Sequence, residues 1–188
     1  MKIRKPLLVF EDISPGSRHR LFTFAGVEVM ATSRAWMSPL SFCLLGFTIA
    51  IAGHQGETLA SELLHGIAFG VMLSVCNLVH SLGHILSGKL TRGLMDILLL
   101  TATRDVTLYT SDQSRHSKWT FIGRSLGGPV FNVIIALAGF GLWKVTGTGW
   151  VLMFAGFNLA IGIWTLVPIP SMDGWVIWGE LFGFRHRS

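Results

Sequence analysis

His80 and His84 stand four residues apart in VHSLGHILSG, residues 79–88, a stretch with almost nothing else polar in it. On a helix this spacing projects both imidazoles from one face, about one turn apart, which is how two histidines reach a single metal ion. The spacing permits zinc, and a polar pair packing between helices is the other reading. Asp173, in LVPIPSMDGW, is the only acid between Asp112 and Glu180 and ends a long apolar run. An ionisable group there is costly to place and is a functional candidate by default; otherwise it is an interfacial acid marking a helix end. Two histidines and one carboxylate form a ligand set that leaves zinc an open position for water.

The elements that must position these residues are apolar. The chain has 188 residues, 51% hydrophobic and only 13% charged, with a mean hydropathy of +0.56, far from the composition of an ordinary soluble domain. Four charge-free runs, 35–53, 63–88, 125–143 and 145–172, are long enough to cross a bilayer as helices. An all-α membrane protein of four spans follows, with both termini on one side. Lys and Arg set the orientation. Six precede residue 35, six lie in 89–124, two are in the tail, one is Lys144, and the loop 54–62 has none, so fourteen of the fifteen fall on one side. That side is expected to be cytoplasmic. Spans two and four then both run inward, bringing His84 and Asp173 to the same membrane face.

The first 34 residues hold no apolar core of signal-peptide length and are read as a retained cytoplasmic segment. Within them, LFTFAGVEVMA, residues 21–31, alternates like one short strand lying against the membrane surface. The loop after span two holds LMDILLL and DVTLY around TATR, a candidate hairpin, and SDQSRHSK reads as an exposed tip. Cys43 and Cys76 fall within spans and predict no disulfide. A pI near 9.8 reads as topology and contact with anionic lipid; no nucleic-acid recognition motif accompanies the basic residues.

With VHSLGHILSG, GGPVFN at 127–132 and NLAIGIWTLVPIPSMDG at 158–174 in this order, the sequence resembles the site-2 protease family of intramembrane zinc metalloproteases. These stretches stand for the family's HExxH helix, for the small-Gly-Pro-x-x-Asn opening of its third helix, and for its Asn-rich, Pro-rich, Asp-Gly motif. With the strand before span one and the hairpin after span two, the likeness runs from about residue 21 onward. It implies one membrane domain over 35–188 with a small membrane-associated β element, preceded by the segment 1–34 with its strand. It also implies that His80, His84 and Asp173 ligate Zn2+ and that transmembrane segments of other proteins are the clients. Gly127, Gly128 and Pro129 suit close helix approach as well as catalysis, and Asn132 and Asn158 suit bonding across helices.

Two positions depart from the family. The residue after the first histidine, a glutamate that takes the proton of the attacking water, is here Ser81. A hydroxyl is no substitute base near neutral pH, and positioned acid–base help is typically worth about 10²- to 10⁴-fold. Thr165 stands where the family has an asparagine seven residues after Asn158, so substrate positioning also differs. Asp96, close in sequence to the end of span two, is the candidate substitute acid, with no geometry fixed for it by the sequence; Glu62 belongs at the opposite face and Glu180 at the interface. Three classes are weighed: an impaired or inactive protease homologue (a pseudoprotease) that binds transmembrane clients or serves as a subunit of a membrane complex; an active protease with an unusual proton acceptor; and a small transporter or channel, which no motif supports. The first is placed ahead.

Overall fold

The computed structural model describes residues 9, 11–53, 58–110, 113 and 116–183. The cations Lys2, Arg4, Lys5, Arg185 and Arg187, and parts of the expected outer loop and of the SDQSRHSK tip, lie outside the described residues. Among the described residues, four strands and five α-helices follow one another after a single 3-10 turn at Pro15–Ser17, as β1 (Arg18–Phe24), β2 (Val27–Thr32), α1 (Met37–Gly53), α2 (Leu59–Leu90), β3 (Ile97–Leu100), β4 (Asp105–Leu108), α3 (Lys118–Thr146), α4 (Gly149–Trp164) and α5 (Asp173–Phe182).

The stretch expected to be one strand is a hairpin. Ala25 and Gly26 both take positive φ, 51° and 92°, the two-residue turn whose twist matches antiparallel strands. The sheet is mixed, in the order β1-β2-β3-β4. Strand β2 runs parallel to β3, a pairing that needs a long crossover, and α1 with α2 supplies it. The hairpin around TATR forms as β3 and β4, its turn closed by Thr101, whose hydroxyl donates to the Arg104 carbonyl at 2.6 Å. The fold is thus mostly helical with a four-stranded sheet, a larger β element than the expected all-α core.

Alternation decides which way each strand residue faces. Val27, Val29 and Leu98 pack with Ile85 of α2 and Met95, while Leu99, Val106 and Leu108 pack with Val9 and Ile13 on the other face. Both faces of the sheet are therefore covered over β2, β3 and β4, whereas β1 is mostly exposed. In β4, Asp105 and Thr107 alternate with Val106 and Leu108, and Thr107 pairs with Leu98, so Asp105 lies on the face turned to α2.

Helix α2 packs on α1, α3 and α4, and α3 also packs on α4 and α5. The crossing of α2 and α3 is set by glycines: a Cβ on Gly83 would lie 2.4 Å from the Gly127 carbonyl oxygen, and one on Gly127 would lie 2.0 Å from Ser87 Oγ. Only hydrogen at these positions lets the two backbones meet.

Two helices, α2 with 32 residues and α3 with 29, are long and apolar enough to cross a membrane. Only 28% and 33% of their apolar windows are buried within the chain, so the rest needs an apolar surrounding, which lipid provides. The other two expected spans are shorter apolar helices of 17 and 16 residues, roughly 24–26 Å long at 1.5 Å per residue.

Two boundaries differ from expectation. Helix α3 begins at Lys118, capped by Ser117 Oγ on the Thr120 amide at 3.2 Å, so Pro129 lies inside it and leaves the Ser125 carbonyl without its helical donor. The run 145–172 is helical only to Trp164, because Pro168 and Pro170 force extended backbone before themselves. The chain then turns through residues 165–172 and restarts as α5.

Candidate metal centre

Two parallel stripes of α2 build the site. Asn77, Ser81 and Ile85 follow at i, i+4 and i+8 toward the sheet, and His80 with His84 forms the neighbouring row toward α3 and α5. His84 Nδ1 lies 2.8 Å from the Arg124 carbonyl oxygen. A carbonyl only accepts, so Nδ1 carries the proton and Nε2 keeps its lone pair. His84 Nε2 lies 3.0 Å from His80 Nε2.

Asp173 arrives from the first residue of α5, where an acid also suits the positive end of the helix. Its Oδ2 is 3.0 Å from His80 Nε2 and its Oδ1 is 3.3 Å from His84 Nε2. The Gly174 amide donates to the Thr165 carbonyl at 2.8 Å, pinning the start of α5 to the end of α4. A Cβ on Gly174 would lie 2.1 Å from the Leu166 carbonyl oxygen, so this junction needs glycine. Burial alone would raise the Asp173 carboxyl; the adjacent His84 and His80 outweigh it and hold it below the usual carboxylate range.

One ligand atom from each of His80, His84 and Asp173 can be chosen so that all lie within 4.8 Å of one another, the one such group among the described residues. Gly128 of α3 closes the other side. A Cβ there would come within 2.6 Å of Nε2 of both histidines. Two imidazole lone pairs, one carboxylate and a backbone cradle with no side chain fit a tetrahedral zinc site with one position open to the cavity. The Arg124 carbonyl behind His84 is the outer partner that such ligands usually have.

The cavity has a volume of about 650 Å³ and is lined by His80, Ser81, His84, Asp173, Thr165 and both polar residues of β4, Asp105 and Thr107. Arg124 is held beside it, stacked on Tyr109 with 4.3 Å to the ring centroid. A second cavity, of about 400 Å³ between α3 and α4, is apolar and remote from these groups.

The remaining sequence candidates divide. Thr165 lines the cavity, but its hydroxyl donates back to the Ile161 carbonyl at 3.0 Å. Asn158 is fully buried and donates to Cys76 Sγ across α4 and α2 at 3.1 Å. Asn132 is fully buried, and neither polar atom of its side chain has a partner among the described residues. Neither asparagine lines the cavity.

Asp96 does not fold back to the site. It is exposed and accepts the Thr110 hydroxyl at 2.9 Å, closing the base of the hairpin. The acid at the site is Asp105, which the sequence reading passed over. Its Oδ2 accepts from the Ser81 hydroxyl, and from Asn77 Nδ2 at 3.1 Å. Burial pushes its carboxyl up to about 6, against the opposing pull of the Ser81 hydrogen bond and the charges of His84 and Arg104. Its signal was the polar alternation D-V-T-L within a hairpin.

No protein-family model matches the sequence, and no curated protein matches it. Among solved structures, the site-2 protease from Methanocaldococcus jannaschii is similar, with a TM-score of 0.63 and 18% identity over 90% of this chain and 73% of that one. At that identity the likeness establishes a shared fold: the chain has a site-2-protease-like architecture.

Proposed function

We propose that the protein is an integral-membrane, zinc-dependent peptidase homologue of the site-2 type, which takes up transmembrane segments of client proteins and hydrolyses them slowly because Ser81 stands where a glutamate would act. The observation that supports it most is the convergence of His80, His84 and Asp173 on the Gly128 cradle at a cavity. His80, His84 and Asp173 are the zinc ligands in this reading. Zinc, when bound, would polarise the scissile carbonyl and acidify the attacking water. The chain's own residues do the rest. The Arg124 carbonyl fixes the His84 tautomer, and the α4–α5 junction holds Asp173.

Strand β4 ends the sheet, with residues Asp105 and Thr107 at the cavity. Its free edge offers backbone hydrogen bonds to an extended client segment without demanding a particular sequence. In this reading the chain crosses the membrane four times with both termini in the cytoplasm, an orientation that the distribution of Lys and Arg supports.

Purified, chelator-free protein in lipid nanodiscs tests the reading against a transmembrane substrate. Slow, zinc-dependent cleavage is expected. Zinc binding and client binding with no cleavage under any condition would leave a client-binding homologue without peptidase activity. Absence of both would reject the function.

A further inference from the structure

Ser81 occupies the position of the family's glutamate, yet the site is not short of a carboxylate. Asp105 reaches it from another element. Alternation along β4 turns Asp105 toward α2, and the Ser81 hydroxyl and the Asn77 amide, one turn apart on that helix, both donate to its Oδ2. The two bonds fix the carboxylate against the stripe of α2 that adjoins the His80–His84 row, at the wall of the same cavity. A serine Oγ stands where a glutamate would have Cγ. A carboxylate bonded to that Oγ therefore lies in the neighbourhood that the glutamate's own carboxylate would fill.

We infer that Asp105, presented through Ser81, is the proton acceptor of this site, a carboxylate supplied by the sheet in place of one supplied by the helix. The inference rests on the peptidase reading above. The step balances without any further reactant. As water attacks the carbonyl carbon, its proton passes to Ser81 Oγ while the Ser81 hydroxyl proton passes to Asp105 Oδ2. The protonated Asp105 then returns its proton, by the same hydroxyl, to the amide nitrogen as the C–N bond breaks. A carboxylic acid and an amine leave, and Asp105 is ionised again. Because the carboxylate acts through one intervening hydroxyl, turnover is slower than with a glutamate in direct reach, and the site is impaired without being inert. Asn77 is a positioning residue in this scheme: it holds the oxygen that receives the proton.

The test uses the full chain in nanodiscs, with three readouts: metal per chain, cleavage of a transmembrane substrate, and the pH midpoint of the visible absorption of the cobalt-substituted protein. Asp105→Asn is close to isosteric and keeps polar partners for Ser81 and Asn77. It should lower cleavage by about 10²-fold or more, the size of a positioned acid–base contribution, with metal content unchanged. It should also move the cobalt midpoint by about one pH unit or more, as expected when a neighbouring charge is removed. Ser81→Ala, which breaks the connection from the other side, should lower cleavage and move the midpoint in the same direction. The combination with Asp105→Asn should fall little further, as for groups acting as a unit. The swap Ser81→Glu with Asp105→Asn should restore cleavage to the parent rate or above, since one carboxylate again serves the site.

An Asp105→Asn protein that cleaves at the parent rate and keeps the parent midpoint overturns the inference. If the parent cleaves too slowly to measure, the cobalt midpoint alone decides: unmoved in both single variants, it rejects Asp105. Failure of the underlying peptidase reading looks different: the parent itself would then hold no metal, or would hold metal and bind the client while every variant, Ser81→Glu with Asp105→Asn included, leaves it uncleaved.

Discussion

Gly128 has no room for a side chain, since a Cβ there would sit within 2.6 Å of both imidazole Nε2 atoms. Gly128→Ala should therefore cost more in metal affinity than in folding. Competition against a chromogenic chelator should show at least about a 10-fold weakening, the scale of disturbances to groups around metal ligands. Parent-like affinity would show that the histidines do not meet the metal at this wall. Asp105 carries the pH dependence. An ordinary aspartate titrates near 3.9, and burial pushes this one up to about 6. A base works only when ionised, so the cleavage rate should fall as pH drops through about 6 and level off above it. The acid limb should vanish from the residual rate of Asp105→Asn. An acid limb near 4 in the parent would assign the base to a more exposed carboxyl. At this scale the histidines and Asp173 were legible, because an i, i+4 pair and a lone acid stand out against apolar sequence. Asp105 was not legible: the polar half of an alternating strand reads as a solvent face, and only the covering of this face by α2 turns it into a site wall.

Helix α5 begins only because the chain stops, turns at the two prolines and restarts, and that junction sets where Asp173 stands. Gly174→Ala would drive a Cβ to 2.1 Å from the Leu166 carbonyl oxygen. It should displace the start of α5 and lower metal occupancy, while α2 keeps both histidines. Full occupancy in that variant would show that α5 tolerates the shift. The sheet makes a separate claim on clients. Photocrosslinking of a bound client from Thr107 on β4 should exceed crosslinking from Leu21 on β1, the opposite edge of the sheet; the reverse order would place the client elsewhere. Both hairpins show where element reading from sequence succeeds and stops. TATR broke one apolar run visibly, whereas Ala25–Gly26 sat inside an alternating run and was absorbed into a single strand. Likewise GGPVFN reads as a helix opening, but the cap is Ser117 and Pro129 sits in the middle of α3.

Across the described residues, apolar helices, of which α2 and α3 turn most of their apolar windows outward, hold a polar cavity between α2, the sheet and α5. The likeness to the site-2 protease from Methanocaldococcus jannaschii covers 90% of this chain, so the shared fold extends well beyond any one motif. The broad architecture was legible from motif order and hydropathy. The length of α4 was not, since the apolar run 145–172 does not reveal that its helix stops at Trp164, before the two prolines, whereas α1 ends at Gly53 as its run does. Orientation is open to direct measurement. Single cysteines placed at Lys89, in the last turn of α2, and at Arg92, just after it, should resist impermeant thiol reagents in intact cells, whereas a cysteine at Thr58 should react; labelling in the opposite pattern would invert the topology. The central claim is the metal centre itself, and elemental analysis of chelator-free protein reaches it most directly. About one zinc per chain is expected, lost in His80→Ala and in Asp173→Asn while the protein stays folded. No zinc in the parent, or equal zinc in the parent and His80→Ala, would contradict it.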